Sequence, residues 1–313
     1  MRRPALAPKR RSRDCGDPSG AWLDLAGRRT TPASRRHPTA RPDRSAPGRC
    51  GGRDLEPHAL GRVGSRGVTM IEIAFPGGSA EGYVSGESGP GVLLFQDAIG
   101  LRPQIERMAD RIASWGYVVL APHVFWRDGR AADLAPTVDL RDPASRDAFF
   151  ASGVGERMAR LTPDVLQADG DVWLETLHGL PGVSGTAIGA TGYCFGGRIA
   201  LHLAASRPDD IAAIGMFHTG GIVTEEAGSP HTEVPRIRAA VLAGHADNDG
   251  SNTPGQIAAF DAALAAAGVD HRTAVYPNAL HGYTMSDTAA YQEEAAERHF
   301  RELRELFDRT LKQ

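Results

Sequence analysis

The sequence predicts an α/β fold, a mainly parallel central sheet flanked by helices on both faces, and two observations predict it. From Thr69 onward, short apolar runs alternate with stretches patterned as helices. The runs themselves are unbroken rather than alternating, as strands buried on both faces must be. Crossovers in such a sheet are right-handed, and ligands bind beyond the carboxyl ends of the strands. The residues that follow each strand are therefore where chemistry is sought.

In order, residues 70–78 (MIEIAFPGG) and 80–86 (AEGYVSG) read as an opening hairpin. GVLLFQDAIG at 91–100 is a short apolar strand ending in a polar turn. The next stretch, 102–116, carries Ile105, Met108, Ile112 and Trp115 on one helix face and stops at Gly116. YVVLAP at 117–122 is a buried strand. After a charged, loop-rich stretch at 125–165, a helix is expected over 163–179, a strand over 185–194 and a helix over 195–206. Strands follow at 211–220 and 237–247, then a helix at 253–268 and a strand with its loop at 271–282. The closing helix, 291–311, aligns Phe300, Leu303, Phe307 and Leu311. Trp115, Tyr117 and Trp173 sit in patterns that bury aromatic rings, and no internal repeat or second domain boundary interrupts residues 68–313.

Residues 1–67 have a different character. They hold 16 Lys and Arg against 6 acidic residues, while the rest of the chain holds 19 against 32, so a net charge of −3 conceals a basic head and an acidic body. The head is rich in Arg, Pro, Gly and Ser and too poor in apolar residues to offset its ordering entropy, so it reads as disordered. Its arginines lack interleaved aromatics, so nucleic-acid binding is not expected; a natural start near Met70 is slightly favoured over a functional tail. Cys15 and Cys50 fall in the head and leave Cys194 alone in the body, which argues against a disulfide framework. With no apolar signal core and no run of 18 apolar residues, the chain reads as soluble and cytoplasmic, without a membrane partner, as a monomer or homodimer.

The strongest motif is Gly192-Tyr193-Cys194-Phe195-Gly196-Gly197, between a predicted strand and a predicted helix. It has the form of the G-x-S-x-G elbow with sulfur in place of oxygen, the glycines allowing neighbouring backbone to pass closely. A lone cysteine is commonly a buried packing residue. Here the following helix points its positive end at the sulfur, which favours a thiolate nucleophile. His281, after the last strand and next to Gly282, is the natural base, and the order nucleophile, acid, histidine is that of the α/β-hydrolase fold. For the acid, Asp247 in GHAD is chosen as nearer its strand end, with Asp249 as runner-up. Oxyanion donors are expected from the backbone N–H groups of Phe195 and Ala98. His123, His202, His218, His245 and His271 are scattered without metal-ligand spacing, and no phosphate-binding glycine motif is present, so neither metal nor cofactor is expected.

With GYCFGG, GHAD, FQDAIG and ALHGY in place, the body resembles the dienelactone hydrolase family from about Met70 to the closing helix. The resemblance implies that Cys194, His281 and Asp247 open a lactone or activated ester through a thioester, and that Asp97 modulates the thiol. Members of that family clamp a substrate carboxylate with arginines, one of them four residues after the histidine. That position here is Met285, and Arg157 or Arg160 is the candidate for the second arginine. The expected partner is a small ester or lactone. The alternatives are a small carboxylesterase or thioesterase with an apolar acyl pocket and, more distantly, a non-catalytic binding or redox-sensing protein.

Overall fold

Eight strands form one sheet in the order β1-β2-β4-β3-β5-β6-β7-β8. They are β1 (Val68–Phe75), β2 (Gly78–Ser85), β3 (Gly91–Phe95), β4 (Val118–Pro122), β5 (Ile188–Tyr193), β6 (Ile211–Phe217), β7 (Ala240–Ala246) and β8 (His271–Tyr276). β1 and β2 pair antiparallel, as do β2 and β4, and every pairing from β4 through β8 is parallel. The computed structural model describes residues 68–247 and 249–312. The basic head at 1–67, and the disorder expected of it, lie outside the described residues.

Strand alternation divides the core into two layers. On β3, Leu93 and Phe95 pack on one side while Val92 and Leu94 pack on the other. The first layer is covered by α5 (Pro163–Gly179) through Trp173 and Leu177, α6 (Phe195–Ser206) through Ile199 and Leu203, and α7 (Pro254–Ala266) through Phe260 and Leu264. The second is covered by α1 (Pro103–Ala113) through Ile105, Met108 and Ile112, and α8 (Glu293–Leu311) through Phe300, Leu303, Phe307 and Leu311. Tyr117 and Trp173 are fully buried as their patterns predict, whereas Trp115 is half-buried, its ring edge-on to Phe300.

Residues 125–165, whose pattern is charged and loop-rich, contain three short helices, α2 (Ala131–Leu134), α3 (Pro143–Phe150) and α4 (Val154–Arg160). None is long enough to show a clear 3.6-residue period, and α3 buries no residue at all. Among the described residues, no helix is long and apolar enough to cross a membrane.

Candidate active site

Cys194 stands between β5 and α6 with φ 52° and ψ −115°, a conformation that a non-glycine residue adopts only under constraint. The surrounding glycines are required by contact rather than by flexibility. A Cβ on Gly192 would lie 2.0 Å from the Gly196 carbonyl oxygen, and one on Gly196 would lie 2.3 Å from that of Phe95. On Gly197 it would lie 2.0 Å from Thr219 Oγ1. The Cys194 N–H donates to the Phe217 carbonyl at 3.0 Å, so the turn is fastened to the end of β6. Sulfur is thus held at the N-terminus of a twelve-residue helix.

His281 follows β8, and its Nδ1 lies 2.7 Å from Asp249 Oδ2. The acid beside the histidine is therefore Asp249 and not Asp247. Asp247 is occupied elsewhere: its N–H donates to the Ala279 carbonyl at 2.8 Å and its Oδ2 accepts from the Asn278 N–H at 3.0 Å. Those two bonds tie the end of β7 to the turn after β8, and the chain needs two further residues to bring a carboxylate under the imidazole. Ser251 completes the orientation, its N–H and Oγ both donating to Asp249 Oδ1 at 2.8 and 2.6 Å. Burial opposes charge on His281, but Cys194 and Asp249 beside it outweigh burial and push its pKa up to about 10. Asp249 is shifted the other way: burial raises it, and the bonds from His281 and Ser251 carry it below the ordinary carboxylate value.

Ala98, in the turn after β3, lines the same pocket as Cys194 and His281. The N–H of Phe195, at the first position of α6, and that of Ala98 donate to no other group among the described residues. The remaining walls are Ile99, His218, Met285 and Thr288, and the roof is Leu140, Arg146 and Phe150. His218 sits beside His281 with ring centroids 5.3 Å apart, in a left-handed conformation with φ 39°. Its Nε2 is 2.7 Å from Thr284 Oγ1, and burial, with the His281 charge, keeps its pKa well below the usual value, so the ring is neutral.

A sequence profile of the dienelactone hydrolase family matches residues 81–311. The chain belongs to the dienelactone hydrolase family. A Synechocystis sp. protein assigned as a carboxymethylenebutenolidase is 27% identical over 229 residues, covering 71% of this chain and 87% of its own. The solved structure designated m3DLH is 28% identical with a TM-score of 0.59, covering 78% of this chain and 99% of that one. A dienelactone hydrolase-like promiscuous phosphotriesterase from metagenomic libraries shares the fold at 24% identity and a TM-score of 0.60, with coverage of 78% and 99%.

Within this dienelactone hydrolase-family site, three expectations from the sequence need correction. Asp97 lines the pocket, but its carboxylate is held by Arg102, Nη1 to Oδ1 at 2.7 Å and Nη2 to Oδ2 at 3.1 Å, with the Ile99 N–H on Oδ1 as well. The acid expected to modulate the thiol is engaged by a buried guanidinium instead. Arg102 also binds Asp287 at 2.6 Å and meets the Met285 sulfur at 3.5 Å, so a cation from the α1 cap stands beside the methionine. Arg157 and Arg160 do not reach the pocket. They line a separate groove of 980 Å³ between the α2 segment and α3, where Arg160 is paired with Asp128 and Arg157 is buried near the Phe125 and Phe149 rings.

Arg146 is the one arginine lining the pocket among the described residues. Its signal in the sequence was slight, a single arginine in a charged loop. Arg102 had a clearer one, since an arginine five residues after Asp97 across a tight turn is well placed to bind it.

Proposed function

We propose that this protein hydrolyses lactones or activated esters by covalent catalysis at Cys194. The observation that carries the reading is the His281–Asp249 pair at 2.7 Å beside a cysteine held in a strained elbow. Thiolate Cys194 attacks the carbonyl carbon, and the oxyanion is received by the N–H groups of Phe195 and Ala98. The C–O bond breaks, the imidazolium of His281 protonates the leaving oxygen, and a thioester remains. His281 then takes a proton from water, whose oxygen attacks the thioester and returns the acid and the thiolate. Asp249 holds the imidazole in one tautomer and stabilises its charge. A thiolate is itself a good leaving group, so enol lactones and activated esters react forward while amides revert.

Arg146, which lines the same pocket as Cys194, favours substrates that carry a carboxylate, because a guanidinium recognises that group in two-point geometry. Met285, buried where the resemblance implies an arginine, favours a second reading, a small-ester hydrolase with an apolar acyl pocket formed with Ile99, Leu140 and Phe150. Initial rates on a dienelactone and on p-nitrophenyl acetate, for the wild type and Cys194→Ala, test both. We expect turnover of the dienelactone, abolished by the substitution. Neutral-ester turnover alone selects the second reading, and rates indifferent to Cys194→Ala reject the nucleophile.

A further inference from the structure

The two N–H groups assigned to the oxyanion belong to segments far apart in sequence. Phe195 begins α6, whereas Ala98 lies in the turn after β3. The segments touch: a Cβ on Gly196 would lie 2.3 Å from the Phe95 carbonyl oxygen and 2.4 Å from that of Gln96. The spacing of the two donors therefore depends on how the turn after β3 is held. Within it, the Gly100 N–H donates to the Asp97 carbonyl at 3.1 Å, and the Ile99 N–H donates to Asp97 Oδ1 at 3.1 Å. Both N–H groups that follow Ala98 are folded back on Asp97, which leaves that of Ala98 for another acceptor.

What holds the turn is Arg102, a buried residue whose guanidinium finds one oxygen for each of its five N–H donors. Nη1 donates to Asp97 Oδ1 at 2.7 Å and to the Gly100 carbonyl at 3.0 Å, and Nη2 donates to Asp97 Oδ2 at 3.1 Å. One edge of the fork thus closes on both ends of the Asp97–Gly100 turn. The other edge, Nε and Nη2, donates to Asp287 at 2.6 and 3.2 Å, in the loop after His281 where Met285 and Thr288 line the pocket. The backbone of Arg102 caps α1, which Ile105, Met108 and Ile112 root in the core, so the fork stands on a fixed support. Arg102 is not among the residues lining the pocket, so it acts through the turn. We propose that Arg102 is a positioning residue that sets the Ala98 N–H at the distance from the Phe195 N–H that a tetrahedral oxyanion requires. The inference rests on the reading of Cys194 as nucleophile.

The test compares two reactions of Cys194 in the full chain at one pH. Acylation by p-nitrophenyl acetate, read as p-nitrophenolate released in a single turnover with protein in excess, passes through an oxyanion. Alkylation by iodoacetamide does not, because sulfur displaces iodide from a saturated carbon. Mass spectrometry of the Cys194 peptide separates it from Cys15 and Cys50. In Arg102→Met acylation slows about 10²-fold, the scale of one misplaced oxyanion donor. Arg102→Lys keeps the charge between Asp97 and Asp287 without the fork, and acylation slows about tenfold. Alkylation stays within about twofold of the wild type in both variants, since the thiolate itself is untouched. Arg102→Met strips two carboxylates of their partner, so if it does not fold, Arg102→Lys decides alone. A folded variant that acylates at the wild-type rate would overturn the proposal. An equal fall in both reactions also overturns it, because Arg102 then supports the whole site, and so does failure of both variants to fold. A wild-type Cys194 that is alkylated but never acylated rejects instead the nucleophile reading on which the inference rests.

Discussion

The floor and the roof of the pocket are built by opposite means. The floor consists of residues beyond the carboxyl ends of β5, β6, β7 and β8, where backbone bonds fix Cys194 and His218, glycines beside Cys194 leave no room for a Cβ against main chain, and Asp249 holds His281. The roof consists of Leu140, Arg146 and Phe150, the last two on a helix that buries none of its residues. Between them lies a cavity of only 40 Å³, enough for about one water or two and far below the few hundred Å³ that enclose an organic ligand. A lactone of the proposed kind needs more room than this, and the roof is the side of the pocket with the least buried structure to yield it. Displacing α3 breaks few buried contacts, and the 980 Å³ groove on its far side, lined by Ala144, Ala148 and Phe149, leaves room for the movement. Chemistry is assigned to the most over-determined part of the fold, and selection to the least.

Breaking the floor gives the largest effects. Asp249→Ala lowers kcat/KM on activated esters by about 10³-fold or more, the scale at which a triad loses its orienting carboxylate. Asp247→Ala removes the acceptor of the Asn278 N–H, so it lowers the melting temperature by a few degrees and leaves kcat/KM within about threefold. Steady-state kinetics and thermal melts of the two variants, run together, check this assignment. The reverse pattern would restore Asp247 as the catalytic acid.

Substitution in the roof acts on selection. Among the described residues, Arg146 meets the Phe150 ring at 4.9 Å and Asp147 at 3.9 Å, contacts weak enough to leave its guanidinium available to a substrate. Arg146→Ala raises KM for an anionic lactone about tenfold with little change in kcat, and leaves a neutral ester unchanged, because one charge-assisted contact is lost from ground and transition states alike. An equal loss on both substrates would mean that Arg146 maintains the roof rather than reads the substrate.

The same asymmetry appears in how stability follows pH. His281 has its pKa raised to about 10 from 6.5, so its charged pairing stabilises the fold fully below 6.5 and is lost as pH climbs through 10. Asp249 is lowered, so its contribution is present above 3.8 and is lost as pH falls through the depressed value. Thermal melts across pH should show a plateau bounded by these two losses. In Cys194→Ala the alkaline boundary moves to lower pH, since the sulfur is the largest of the groups holding the proton on His281. Identical alkaline limbs in the two proteins would separate the cysteine from the histidine.

Legibility in the sequence follows the same division. The elbow was readable because glycine spacing and the strand-to-helix switch are local, and His281 because it follows the last apolar run next to Gly282, which adopts φ 96°. The choice between Asp247 and Asp249 was not local. It depends on which carboxylate the turn after β8 ties down, a contact between residues 31 apart in sequence. Arg102 closing on Asp97 was within reach of a turn argument, whereas its bond to Asp287, 185 residues away, was not. The roof was least legible, because seven- and eight-residue helices without an apolar stripe leave nothing periodic to read.

The smallest effect concerns how α3 is held. Its first turn depends on Asp142, whose carboxylate accepts the Ser145 N–H at 2.8 Å beneath a proline at the start of the helix. With no buried side chain to anchor it, the helix opens locally without unfolding the sheet, and its amides exchange with solvent orders of magnitude faster than those of β5 and β6. Asp142→Ala therefore speeds exchange across residues 143–150 about three- to tenfold, as loss of an N-cap does in a marginal helix, while the global melting temperature stays unchanged. Hydrogen exchange read by mass spectrometry, with peptides from α3 and from β5 compared in one experiment, provides the check. If α3 exchanges as slowly as β5, opening it requires global unfolding, and the roof belongs to the same cooperative unit as the floor.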